Sequence, residues 1–171
     1  MYYRHTQKWV DLFTEEPAMV QIETGNYIKG LHNLLNAHFT TRNYSGFDKT
    51  LSLFEQFSKS DIVKLNDNNK IQVFVYLYIA KINQHFQEGT FNEGLKIVDE
   101  ITQRLDEYSL FLDKHRTLIF YYKIASLYFG AGDFGSAIDY LNKIINWKVN
   151  LRNDLQCYAR LLAMFAHYEL G

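Results

Sequence analysis

The chain has 171 residues, of which 47% are hydrophobic and 16% aromatic, and its formal net charge at pH 7 is -1. This composition excludes a disordered chain, and a single proline with nine glycines excludes collagen-like and proline-rich classes. The scattered lysines and arginines argue against a nucleic-acid partner, and no apolar run approaches the roughly 18 residues of a membrane span.

Residues that break helices are rare, so we expect long helices rather than the many turns of a β fold. Apolar residues at helical spacing predict about eight antiparallel helices. The stretch 71–80 is rich in Val, Ile and Tyr, which favour strands, but its register with the other repeats predicts a helix. The polar stretch 59–69 predicts a longer loop. The predicted helices span 2–14, 22–41, 44–58, 67–88, 91–106, 109–131, 134–147 and 151–170.

Four segments share one skeleton when the sequence is compared with itself. In each, a His or Tyr precedes an aromatic residue, and a turn residue follows four positions after the His or Tyr. The His or Tyr positions are 47, 43 and 39 residues apart, at His38, His85, Tyr128 and His167. The turn residues are Arg42, Gly89, Gly132 and Gly171. This spacing is the size of a two-helix repeat.

The third repeat, residues 120–146, resembles a tetratricopeptide repeat. Its matching features are Ala125 within the first helix, Tyr128 before the turn, the Gly-Asp-Phe turn at 132–134, and Ala137 in the second helix. The second repeat has Gly94 at the small position, and the first has Phe47 there. The resemblance implies a right-handed superhelix of paired helices that binds peptides or partner proteins in its concave groove.

The repeat register divides the chain into helix pairs at 22–58, 67–106 and 109–147, with an incomplete pair at 151–171. Residues 1–14 form a helix without a hairpin partner. We therefore expect one solenoid segment from a longer array, with end-to-end self-association through exposed terminal helices. A single cysteine, Cys157, suits a reducing compartment, so a cytoplasmic location is expected.

Alignment of these repeats with the tetratricopeptide family implies that one set of residues lies on the concave face of the superhelix. An aromatic stripe at this spacing is also typical of a helix core, and that interpretation stays open. The expected function is a protein- or peptide-binding scaffold, and the alternative is a peptide-responsive sensor module within a larger regulatory protein. The candidate groove residues are His32, Asn36, Phe39, Ile79, Asn83, Phe86, Tyr122, Ser126 and Phe129.

A dinucleotide-binding enzyme is the third hypothesis. The segment GAGDFG at 130–135 matches the glycine fingerprint, and Asp154 follows at the distance of an acidic ribose ligand, but the motif requires a preceding strand. The six histidines lack the spacing of a metal-binding helix, and Cys157 lacks a nucleophile signature. We therefore expect no catalytic residue, no cofactor and no metal.

Overall fold

A computed structural model of the chain describes residues 2–147 and 152–171, and all their regular secondary structure is α-helical. The first six helices are α1 (Tyr2–Glu15), α2 (Ala18–Ile22), α3 (Thr24–Thr40), α4 (Tyr44–Ser58), α5 (Asp61–Lys64) and α6 (Asp67–Glu88). The others are α7 (Phe91–Leu95), α8 (Val98–Glu107), α9 (Lys114–Gly130), α10 (Phe134–Ile145) and α11 (Asn153–Leu170). The chain divides into two compact units, an N-terminal unit ending at Gln87 and a C-terminal unit beginning at Glu88.

The all-α fold class is confirmed for the described residues, and each predicted helix has a counterpart. The apolar run at 71–80 lies within α6, as its register predicts. Two short helices, α2 and α5, add to the predicted set, the second of them inside the predicted loop at 59–69. The predicted start of the last helix at residue 151 lies outside the described residues. None of the described helices has both the length and the apolar composition needed to cross a membrane.

Two of the predicted helices differ from the structure, one in where it begins and one in being divided, each for a local reason. The helix predicted at 109–131 begins only at Lys114, because the Asp113 side chain accepts a hydrogen bond from the Arg116 N–H at 2.8 Å and caps the helix there. The helix predicted at 91–106 is divided between α7 and α8. At the division, the N–H of Ile97 donates to the carbonyl of Gly94, three residues back, which tightens the turn.

The turn between paired helices has the same backbone form in successive repeats. All four predicted turn residues have a positive φ, with values of 54°, 70°, 82° and 94° at Arg42, Gly89, Gly132 and Gly171. After the first and third turns the next N–H reaches back to the carbonyl five residues earlier, from Asn43 to His38 and from Asp133 to Tyr128, both at 2.9 Å. This is the pattern of a Schellman helix end, and it occurs at two of the positions where the sequence predicts turns.

The residue after each of these two turns caps the following helix. Asn43 accepts a hydrogen bond from the Gly46 N–H at 3.1 Å, and Asp133 accepts one from the Ser136 N–H at 3.0 Å. The bonds from Ser136 lower the pKa of Asp133. One residue therefore ends one helix and begins the next, which keeps the linker short.

Each unit has its own apolar core. In the N-terminal unit α1, α3, α4, α5 and α6 all contribute, with Leu31 and Phe54 fully buried near its centre. In the C-terminal unit α9, α10 and α11 share a core, to which α11 contributes the small residues Ala159 and Ala163 beside Leu155. Burial of each large side chain contributes about 1.5–3 kcal/mol. Polar pairs also join α6 to α4, with Lys81 Nζ 3.2 Å from Glu55 Oε1.

Glycine permits close approach at two places within the units. A Cβ on Gly46 of α4 would lie 2.5 Å from Nδ1 of His38, and a Cβ on Gly130 of α9 would lie 2.6 Å from Cγ of Phe91. The first repeat therefore has its small residue, Gly46, one position before Phe47. The tetratricopeptide pattern would place the small residue at position 47 itself. The shift makes room for the His38 ring.

Candidate functional site

Two of the predicted groove residues, Phe39 and Phe86, line one pocket of the N-terminal unit. The pocket has a volume of about 510 Å³, and its other lining residues are Thr40, Arg42, Tyr44 and Gln87. It lies where the turn between α3 and α4 meets the end of α6. Both phenylalanines are half-buried, and Tyr44 is 52% exposed, so aromatic surface is accessible there. A volume of this size suits one or two side chains of a peptide ligand.

Arg42 supplies the positive charge of this pocket. It is exposed, and no carboxylate of the described residues lies within 4.0 Å of its guanidinium. Its backbone is in the left-handed region, which costs a residue with a Cβ about 1–2 kcal/mol relative to the right-handed form. The sequence predicts Arg42 in the turn but not in the site. The signal that could have identified it is an arginine at a position where the other repeats have glycine.

Gln87, which lines the pocket, carries a buried side-chain amide. Nε2 of Gln87 is buried and has no hydrogen-bond partner among the described residues. An unpaired buried donor costs about 1–3 kcal/mol. Nothing in the sequence pattern distinguishes Gln87 from other polar residues. Only the tertiary structure shows that it lines the pocket.

The other predicted groove residues of the N-terminal unit are half-buried or buried. His32 stacks on Tyr76, with ring centroids 4.1 Å apart, and its Nε2 lies 3.0 Å from Nδ2 of Asn36. Ile79 and Asn83 are buried, with 9% and 4% of their surface exposed. Asn83 therefore does not offer its amide to a peptide in this conformation.

The predicted groove residues of the C-terminal unit are half-buried. Tyr122 packs against the core of that unit, and its carbonyl accepts a hydrogen bond from Oγ of Ser126 at 2.8 Å. Phe129 meets the ring of Phe134 edge to face, with centroids 5.2 Å apart. These contacts are local, and they join each residue to its own helix or the next one.

The glycine segment at 130–135 joins two helices, so the strand required by a dinucleotide fingerprint does not precede it. Gly130 makes room for Phe91, and Gly132 provides the left-handed turn. The carboxylate of Asp154 is held by Arg152, whose Nη2 lies 2.8 Å from Oδ2. The hydrogen bond from Arg152 lowers the pKa of Asp154.

The three histidines that share a repeat position differ in environment. His38 is 2% exposed, burial lowers its pKa, and its Nδ1 has no hydrogen-bond partner among the described residues. His85 is half-buried and His167 is exposed. In the described ranges, 2–147 and 152–171, no group of three or more His, Cys, Asp or Glu residues is placed to hold a metal ion.

The last helix presents apolar side chains to solvent in the C-terminal unit. Its small residues Ala159, Ala163 and Ala166 face inward. The exposed large side chains of α11 are Tyr158, Leu161, Met164, Phe165, Tyr168 and Leu170. Self-association through such a face stays a prediction.

Comparisons of the chain with models of protein families, with curated proteins and with solved structures found no match. Its function is therefore inferred from the repeat geometry and from the pocket of the N-terminal unit.

Proposed function

We propose that this chain is a binding module without catalysis of its own, a tetratricopeptide-like helical solenoid that holds a peptide segment of a partner protein. The helix–turn–helix geometry supports the solenoid, because the four turn residues all have a positive φ and the first and third turns share one capping pattern. In such a solenoid the paired helices would form a right-handed superhelix.

The observation that carries the proposal is the aromatic pocket between the turn at Arg42 and the end of α6. Aromatic side chains bury a large area with little loss of conformational freedom, and they recur at sites where proteins bind peptides. Phe39, Phe86 and Tyr44 provide that surface, while Arg42 and Gln87 provide polar groups that orient a ligand. Sites that combine aromatic surface with a few polar groups are typical of ligand recognition.

The test is a selection of peptides from a displayed random library on the purified chain. Thr40→Glu and Tyr44→Ala alter the pocket at exposed positions and leave the buried core intact. Phe111→Ala removes an aromatic ring that is 72% exposed and lies outside the pocket, so it is the matched control. We expect selected peptides to lose binding to the two pocket variants and to keep it with the control. Peptides that bind all three variants equally would contradict this site.

A further inference from the structure

Arg42 occupies a position where glycine would relieve strain. The three other turn residues are glycines with φ between 70° and 94°, and Arg42 adopts the same region with φ of 54°. Strained backbone at a residue with an exposed charged side chain is a reason to look for a function of that side chain. The side chain of Arg42 lines the aromatic pocket.

The chain offers an internal comparison for this arginine. Among the described residues, the other non-glycine residue with positive φ is Arg152, and it holds a carboxylate: its Nε lies 2.8 Å from Oδ1 of Asp154 and its Nη2 lies 2.8 Å from Oδ2. Arg42 has no such carboxylate among the described residues. The N–H groups of its planar guanidinium are therefore available for a carboxylate supplied by a ligand.

Three backbone N–H groups around the pocket are not available to a C-terminal carboxylate. Proteins that capture a C-terminal carboxylate commonly use several free backbone N–H groups. Here the N–H of Arg42 donates to the Phe39 carbonyl, that of Asn43 to His38, and that of Gly46 to the Asn43 side chain. These three donors are occupied, and the guanidinium of Arg42 is the charged group of the pocket that can bind an anion.

We propose that the pocket selects an internal peptide segment in which a glutamate or aspartate side chain stands next to a large apolar one. The carboxylate binds Arg42 in a bidentate pair, and the apolar side chain packs among Phe39, Phe86 and Tyr44. This ligand chemistry rests on the proposed function and makes it more specific.

The experiment uses three peptide sets and the ¹⁵N-labelled chain, with binding followed by NMR titration. The first set is Ala-X-Glu-X-Ala with X as Leu or Phe, acetylated and amidated. The second has Gln in place of Glu, and the third is the Gln set with a free C-terminal carboxylate. Arg42→Gly removes the charge while relaxing the turn, so the variant is expected to fold. Lys29→Gln, exposed on α3 and outside the pocket, is the charge-matched control.

We expect the Glu peptides to shift amide signals around residues 39–47 and 86–87. We also expect them to bind about tenfold or more tightly than the Gln peptides, since a charge-assisted bidentate pair distinguishes the two. Arg42→Gly should abolish that preference, and Lys29→Gln should keep it. Equal binding of Glu and Gln peptides, a preference that survives Arg42→Gly, stronger binding of the free-acid set, or no binding of any set would each overturn the inference.

Failure of this inference is distinguishable from failure of the proposed function. If library-selected peptides are lost with Thr40→Glu and Tyr44→Ala but Arg42→Gly does not affect them, the pocket binds peptides without reading an acidic side chain. If none of these variants affects the selected peptides, the pocket is not the binding site.

Discussion

A methyl group added at Gly46 should disturb the N-terminal unit, although the same change usually stabilises a helix. The new Cβ would overlap the His38 ring, lying 2.5 Å from Nδ1, and would lie 2.8 Å from Nδ2 of Asn43. Neither neighbour moves freely. His38 is 2% exposed and packs against Tyr3, with ring centroids 5.2 Å apart, and Asn43 caps α4.

The magnitude follows from two opposing effects. Overpacking in a well-packed site costs about 1–3 kcal/mol. Replacing glycine by alanine within a helix gains up to about 1 kcal/mol. With the gain of about 1 kcal/mol subtracted, we expect Gly46→Ala to lower the free energy of unfolding by up to about 2 kcal/mol. Gly135→Ala is the matched control, in the first turn of α10, where the nearest atom is Asp133 Oδ1 at 3.8 Å. It should raise that free energy by about 0.5–1 kcal/mol.

Urea unfolding followed by circular dichroism measures both variants against the parent chain. A double variant, His38→Ala with Gly46→Ala, should recover part of the loss relative to the sum of the single changes, because the two side chains would no longer overlap. If Gly46→Ala is as stable as Gly135→Ala, the close approach of α4 to His38 is wrong.

Further predictions concern the turns, the buried His38 and the half-buried Lys123. Gly132→Ala should lower the free energy of unfolding by about 1 kcal/mol, because a Cβ has space there but φ is 82°. Arg42→Gly should leave that free energy unchanged or raise it. Urea unfolding that ranks the two variants in the opposite order would contradict the turn geometry. Burial lowers the pKa of His38 below 6.5, so the imidazole takes up a proton more readily in the unfolded chain. The stability of the folded chain should therefore fall as the pH drops below about 6.5. A His38→Phe variant that shows the same pH dependence in thermal unfolding would refute this. Burial lowers the pKa of Lys123 from 10.5 to about 8, which corresponds to up to about 3 kcal/mol against the charged form. Lys123→Met should therefore be more stable than the parent at pH 7, with the difference in calorimetric melting temperature shrinking between pH 8 and 10.5; a difference that does not change with pH would contradict the buried charge.

Local patterns account for most of the helix map. Apolar spacing identifies long helices because one face of each must be buried, and the turn residues identify their ends because few residues tolerate a left-handed backbone. Asp113 shows where this approach fails. Apolar residues before it continue the helical pattern, yet Leu110 and Phe111 are 91% and 72% exposed, and the cap begins the helix later. Periodicity does not reveal which capping side chain will be used.

The sequence alone determined that this chain is a series of paired helices, that Arg42 stands where its repeats have glycine, and that Phe39 and Phe86 are equivalent positions. Tertiary structure alone decided which of the equivalent residues are accessible. Asn83 is buried while Phe86, three residues later on the same helix, lines a pocket. The reason is physical: periodicity defines a face of a helix, but the neighbouring helices determine which part of that face they cover. Only packing brings the end of α6 to the turn at Arg42, where charge and aromatic surface meet.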